Sequence, residues 1–151
     1  MAVVRRAEAR DVPQLAPLML EYIVDFYRQP RPSDGDLHAL IDVLLKRDEG
    51  VQFVAEDDGR LTGFATLYFT WGTLVAAREA VMYDLYIVQE ARGSGVARDL
   101  FEACVEESRR RGCKEMVWET APDNHRAQRF YEKMGATRGP WVTYSIDAAG
   151  R

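Results

Sequence analysis

The spacing of apolar positions changes several times along the chain, and each change predicts an element. Val3-Val4-Arg5-Arg6-Ala7 reads as a short first strand. Leu15, Leu18, Met19, Tyr22, Ile23 and Phe26 then trace one helical face, with Asp11 at the N-cap position and Pro13 in the first turn. Pro30-Arg31-Pro32 breaks that helix. Ser33-Asp34-Gly35-Asp36 starts another, whose apolar face is Leu37, Leu40, Ile41, Leu44 and Leu45, and the Gly50 region ends it. Val51–Glu56 and Leu61–Trp71 predict two strands joined at Asp58-Gly59, a strong hairpin signal. Gly63 inside the second marks a bulge or a close approach of another backbone. Gly72 to Glu79 reads as a loop, Val81–Val88 as the next strand, and Val96 to Arg111 as a helix stopped by Gly112. In that helix Val96, Ala97, Leu100, Phe101, Cys104 and Val105 form the apolar face, and Glu102, Glu106, Glu107, Arg109 and Arg110 the polar one. Glu115–Thr120 is a further strand. Asn124 caps a helix carrying Ala127, Phe130, Tyr131 and Met134, which Gly135 stops, and Trp141–Ile146 is a last strand. Hairpins first and a βαβ unit later predict an α+β, or mixed α/β, sheet.

The chain is organised around Gln89-Glu90-Ala91-Arg92-Gly93-Ser94-Gly95-Val96-Ala97, between a strand and a helix. Glycines at 93 and 95 let backbone N–H groups approach an anion where the helix dipole already favours negative charge. A Walker-type loop is excluded because Gly-Lys-Ser/Thr is absent. A dinucleotide fingerprint is excluded because Arg98 sits where a third Gly or Ala is needed.

Composition narrows the class. The 151 residues make one domain most simply, and 47% apolar with 29% charged residues excludes disordered and fibrous chains. A net charge of -4 argues against nucleic acid as a main partner. No apolar run approaches the roughly 20 residues that span a bilayer, so no membrane partner is expected. Cys104 and Cys113 read as reduced thiols of a cytoplasmic protein, and His38 and His125 show no ligand spacing, so no metal site is expected. No linkers, repeats or low-complexity tracts occur.

Arg92-x-x-Gly95-x-Ala97 resembles the acyl-CoA signature, Gln/Arg-x-x-Gly-x-Gly/Ala, of the GNAT superfamily of N-acetyltransferases. A second cassette, Asn124-x-x-Ala127-x-x-Phe130-Tyr131 followed by Gly135-Ala136, is similar to the family's Asn-x-x-Ala-x-x-Phe/Leu-Tyr pattern and its Gly-Phe/Ala pair. The resemblance runs from about Val3 to Ile146 and is sharp from Tyr83 to Ala136. It implies a three-layer fold, with helices on both faces of a mostly antiparallel sheet whose two central parallel strands splay apart. Acetyl-CoA would enter that cleft. Backbone groups of Tyr86, Ile87 and Val88 would bond the pantetheine. Arg92, Gly93, Ser94, Gly95, Val96, Ala97 and Arg98 would cradle the pyrophosphate, and Asn124 would contact the cofactor from the other side.

The resemblance implies direct attack of an amine on the thioester. Tyr131 is the candidate acid, since a phenol of pKa about 10 can protonate a thiolate whose parent thiol has a pKa of about 8.5. Asp84 is the candidate base, with Glu119 or an ordered water chain as alternatives. Glu21 and Asp25, four apart on one helix, form a carboxylate pair suited to a cationic amine, with Tyr83 and Glu119 beside the acceptor. The segment Gly63-Phe64-Ala65, Tyr68-Phe69-Thr70 and Tyr83-Asp84 is similar to the diamine branch, which carries Glu-Asp where this chain has Tyr83-Asp84. The expected acceptor is a small-molecule primary amine. A protein N-terminus or lysine is the alternative, and a non-catalytic acyl-CoA sensor the rival class. The family also implies a homodimer, with Trp141 and Tyr144 on a contact strand.

Overall fold

The computed structural model describes residues 1–150; Arg151, the end of the expected domain, lies outside them. The chain forms two compact units, Met1–Glu119 and Thr120–Arg151.

In the first unit the elements follow as β1 (Val3–Arg6), α1 (Val12–Leu20), α2 (Asp34–Lys46), β2 (Gly50–Asp57), β3 (Arg60–Gly72), β4 (Ala77–Ile87), α3 (Val96–Arg110) and β5 (Glu115–Val117). The strands lie in the order β1-β2-β3-β4-β5, and every neighbouring pair is antiparallel except the parallel β4–β5. On one face Val54, Phe64 and Tyr86 stand opposite one another in register. They share a core with Leu15, Leu18, Met19, Leu37 and Ile41 of α1 and α2. On the other face a Cβ at Gly63 would lie 2.8 Å from Ile87 Cδ1 and 3.2 Å from Leu100 Cδ1. Gly63 is therefore the close-approach position the sequence suggested, and it lets α3 sit against the sheet. Helices on both faces of a mixed sheet give the expected three-layer, α+β architecture.

The hairpin at Asp58-Gly59 forms as expected, with φ of 50° and 80° suited to a tight primed turn. Other details differ from expectation. Asp11 precedes α1 but does not cap it: its carboxylate takes the Arg5 guanidinium through two 2.7 Å bonds and the Glu8 N–H at 2.7 Å. The helix after α1 does not run on as regular α to Phe26, because Glu21–Phe26 is a π-helical segment. Ser33 caps α2 as expected, accepting from Asp36 N at 3.0 Å. What ends α2 is Arg47 at φ 62°, and Gly50 already lies in β2, where a Cβ would come 2.5 Å from Leu67 O. Half of the predicted loop from Gly72 to Glu79 is strand, because long-range pairing carries β3 to Gly72 and starts β4 at Ala77, leaving a turn over residues 73–76.

On α3, Val105 is exposed while Glu107 is 2% exposed. Glu107 is buried because it accepts from Arg6, from Arg110 at 3.3 Å and from Arg111 at 2.9 Å. Burial raises its pKa, but Arg111 and Arg6 pull harder and hold it below the usual carboxylate range. β5 is shorter than the expected Glu115–Thr120, ending at Val117.

The second unit contains α4 (His125–Lys133). Asn124 caps it, Oδ1 accepting from Ala127 N at 3.1 Å, and Gly135 at φ 95° ends it. The last strand predicted at Trp141–Ile146 does not form; Trp141, Val142, Tyr144 and Ile146 are exposed. β-forming residues alone do not make a strand.

Candidate active site

β4 carries the centre of the site. Its parallel partner matches only Glu79↔Glu115, Ala80↔Met116 and Val81↔Val117. β5 is paired over its whole length, and beyond Val81 no strand lies on the outer edge of β4 among the described residues, while its inner edge stays bonded to β3 as far as Ile87. Of the backbone groups assigned to the cofactor, the Val88 N–H already donates to Thr62 O at 2.9 Å, and the Ile87 carbonyl accepts from Arg92 Nε at 3.2 Å.

Immediately after β4 the chain makes a short turn at Gln89–Ala91 and passes through Gly93 at φ 81° and Gly95 at φ 91°. A Cβ on either glycine would meet no atom within 4 Å, so the backbone angle and not crowding demands glycine. Gly95 is the N-cap of α3 and offers no side chain, which leaves the first-turn amides of Val96, Ala97 and Arg98 open. Gly93, Ser94, Gly95 and Arg98 are exposed. The Ser94 hydroxyl donates to Ala91 O and so braces the loop. Arg92 is turned towards the π-helical segment that follows α1, its guanidinium 5.7 Å from the centre of the Phe26 ring.

On that side lies an open groove of about 590 Å³ lined by Glu21, Asp25, Phe26, Tyr86, Glu90 and Arg92 among others. The π-helical segment brings Glu21 and Asp25 to it, a widened geometry often found at functional positions. Tyr86 OH donates to Glu21 Oε2 at 2.9 Å. Burial, then the Glu21 carboxylate, pushes the Tyr86 phenol up to about 12. Glu90 is engaged by Arg60 at 3.3 Å, and among the described residues Asp25 has no ion-pair partner. The groove is thus acidic and aromatic-walled, a setting that favours a cation.

Asp84 faces the same side of the sheet as Tyr86, two residues along β4. A bulge lies next to it: Asp84 opposes Thr66, but Met82 opposes Leu67, leaving Tyr83 as the extra residue. The bulge interrupts the alternation of faces that a regular strand would give Tyr83 and Asp84. Tyr83 is 71% exposed and meets Tyr68 edge-to-face at 5.8 Å. Asp84 Oδ1 is buried without a hydrogen-bond partner. Burial raises the carboxyl from its ordinary 3.8 to about 7, while Thr66 pulls the other way through its hydroxyl and its backbone.

Glu119 is exposed, two residues beyond the end of β5. Asn124 and Tyr131 belong to the second unit, where the Tyr131 ring lies 5.5 Å from that of Phe130 and the Tyr131 carbonyl accepts from Ala136 N at 3.0 Å. The first unit therefore brings together Glu21, Asp25, Tyr86 and Arg92 at one groove, with Asp84 on the same sheet face. Sequence reasoning missed Gln52 and Thr66, each 2% exposed and joined by a 3.1 Å bond. Gln52 offered a signal, as the one polar residue within Val51–Ala55; Thr66 did not stand out, because Thr62 and Thr70 lie on the same strand. Among the described residues no cluster of His, Cys, Asp or Glu could hold a metal ion, and no helix is long and apolar enough to cross a membrane.

A three-layer fold with a glycine turn leading from β4 into α3 suits an anionic group held at a helix start. The family comparison agrees: the Acetyltransferase (GNAT) family model matches residues 16–136, and the chain belongs to that family. It is an N-acetyltransferase. An uncharacterised N-acetyltransferase of Bacillus subtilis (strain 168), YhfO, is 31% identical over 87% of each chain. A probable acetyltransferase of known structure is 28% identical, with a TM-score of 0.83 over 96% of this chain and 97% of its own. The aminoglycoside N-acetyltransferase AAC(6')-Iy, solved in complex with CoA, shares the fold at a TM-score of 0.84 with 19% identity, over 98% and 95%.

Proposed function

We propose that this enzyme, acting as a single domain over residues 1–151, moves an acetyl group from acetyl-CoA to the primary amine of a small molecule by direct attack in a ternary complex. The observation that carries the acceptor side is the Asp84 carboxyl, buried with a free Oδ1 and raised to about 7, on the sheet face that also bears the acidic groove. A base works best with a pKa near the operating pH. The cofactor side rests on the outer edge of β4, which pairs with no strand beyond Val81 among the described residues, and on the open amides at the start of α3, where a pyrophosphate suits both the unpaired N–H groups and the dipole. Arg92 through Arg98 are the groups proposed for the pyrophosphate and the backbone of Tyr86, Ile87 and Val88 those proposed for the pantetheine, with Asn124 of the second unit as a further proposed cofactor residue.

An alkylammonium of pKa about 10.4 must lose a proton before it attacks. Asp84 takes that proton, and the freed lone pair adds to the thioester carbonyl carbon. The carbon–sulfur bond then breaks, and the departing thiolate takes the Tyr131 phenol proton. The acetylated nitrogen gives up its second proton, which restores the phenol, so the cycle releases CoA thiol, the amide and one proton overall. No acyl-enzyme forms. Glu21, Asp25, Tyr83 and Glu119 take the acceptor role, the two groove carboxylates attracting its positive charge. That AAC(6')-Iy is an aminoglycoside N-acetyltransferase supports a small amine as the acceptor class. We place the enzyme in the cytoplasm as a homodimer.

Thiol release from acetyl-CoA, measured across polyamines, aminoglycosides, amino acids and short peptides, tests this reading. Turnover with one small-amine class is expected. Turnover only with peptides would replace the acceptor, and tight CoA binding without turnover on any amine would turn the reading to an acyl-CoA sensor.

A further inference from the structure

Gln52, Thr66 and Asp84 occupy one cross-strand row: Gln52 opposes Thr66 between β2 and β3, and Thr66 opposes Asp84 between β3 and β4. Register pairing puts all of them on the same sheet face. The row is polar where its neighbour, Val54–Phe64–Tyr86, is apolar or aromatic. A buried polar row inside a close-packed core is costly unless its members satisfy one another or serve a ligand. Gln52 Nε2 donates to Thr66 Oγ1 at 3.1 Å and lies 3.5 Å from Met19 Sδ. With its oxygen occupied as acceptor, the Thr66 hydroxyl has its one hydrogen left to donate, and the Asp84 carboxyl is the group across the strand. The row ends on buried acceptors without partners, Gln52 Oε1 at one end and Asp84 Oδ1 at the other.

We propose that Gln52 and Thr66 are positioning residues for Asp84: the Gln52 amide fixes the Thr66 hydroxyl, and that hydroxyl holds the carboxyl so that Oδ1 stays free for the proton it must take. The role rests on Asp84 as the base, but the arrangement itself can be read without turnover. Tyr68 of β3, Tyr83 of β4 and Cys104 of α3 are the titratable groups around this carboxyl. Burial keeps the Tyr68 phenol, raised to about 12, and the Cys104 thiol, raised well above its usual range, in their neutral forms near pH 7. Met19, on the α1 side of the row, carries no charge.

The test is a carboxyl-carbon NMR titration of the full-length protein labelled at aspartate, with Asp84 assigned by D84N, alongside the pH profile of kcat/KM. Thr66→Val removes the donor and keeps the shape, so the Asp84 midpoint is expected to rise by roughly 1–2 pH units, with the acid limb of the profile moving with it. Gln52→Met frees the hydroxyl to rotate and gives a smaller shift in the same direction. Thr66→Ser restores both readouts. An unmoved Asp84 midpoint in folded Thr66→Val and Gln52→Met would overturn the proposal. If Thr66→Val fails to fold, Gln52→Met and Thr66→Ser decide by the same criterion. Full turnover in D84N would remove Asp84 as base, yet the midpoint shift would still decide whether the row holds the carboxyl.

Discussion

Replacing Asp84 by asparagine should make the protein more stable at alkaline pH while removing its activity. The wild-type carboxyl titrates at about 7 in the folded chain against an ordinary 3.8. Its folded value is raised, so the stability it contributes is complete below 3.8 and is lost as the pH rises through about 7. At about pH 5 the unfolded chain is already ionised at this site and the folded one is not, so part of the loss has occurred. By about pH 8.5 both are ionised, and the buried charge bears its full desolvation cost. Linkage between those values gives a further loss of roughly 2–3 kcal/mol in wild type that D84N does not suffer. Every other group cancels in the comparison. The assay is urea unfolding of both proteins at the two pH values, with ΔG extrapolated to water. The stability difference, D84N minus wild type, should grow by that amount on going to alkaline pH. A difference that stays constant, or shrinks, refutes the claim that this carboxyl is buried and hard to ionise.

Glu21→Gln and Asp25→Asn should raise KM for a cationic amine about tenfold or less each, with CoA affinity unchanged and the effect weakened by salt; equal KM values in high and low salt would remove the electrostatic role. Tyr131→Phe should lower kcat by on the order of 100-fold or more while CoA binds as before, and an unchanged kcat across the pH range would exclude the phenol as acid. Gly95→Val forces a β-branched residue to φ 91°, so melting temperature and CoA affinity should both fall, by about 1 kcal/mol or more in stability. Glu107→Ala leaves Arg6, Arg110 and Arg111 without their shared carboxylate; because those guanidinium groups reach solvent, the loss in chemical denaturation should be about 2–3 kcal/mol rather than the larger cost of a fully buried ion pair.

The elements that organise function were legible because local rules decide them. Gly93 and Gly95 require positive φ, Asn124 caps α4 with its own side chain, and the two β-forming runs Val51–Glu56 and Leu61–Trp71 around Asp58-Gly59 can make little but a hairpin. The misjudged positions are those where distant partners overrule local preference. Glu107 looks like a solvent residue until three arginines from two segments surround it. Asp11 has the makings of a cap, but Arg5 claims its carboxylate. Trp141–Ile146 has every β-forming feature and yet forms no strand, since β propensity alone does not decide pairing. The bulge at Tyr83 follows from a register shift between β3 and β4, which no count along a single strand reveals. At the site, Asp84, Glu21 and Asp25 could be named from residue type and spacing. The row behind Asp84 could not, because Gln52 and Thr66 become its neighbours only when β2 and β3 pair in this register.

The central claim is direct transfer between two bound substrates, and initial velocities over a grid of acetyl-CoA and amine concentrations test it most directly. Intersecting double-reciprocal lines, with thiol released only when amine is present, are the predicted result. Parallel lines with a burst of thiol before any amine is added would mean an acyl-enzyme intermediate, and would contradict an account in which Asp84 and Tyr131 act on a substrate amine and a CoA thiolate with no nucleophile of the protein between them.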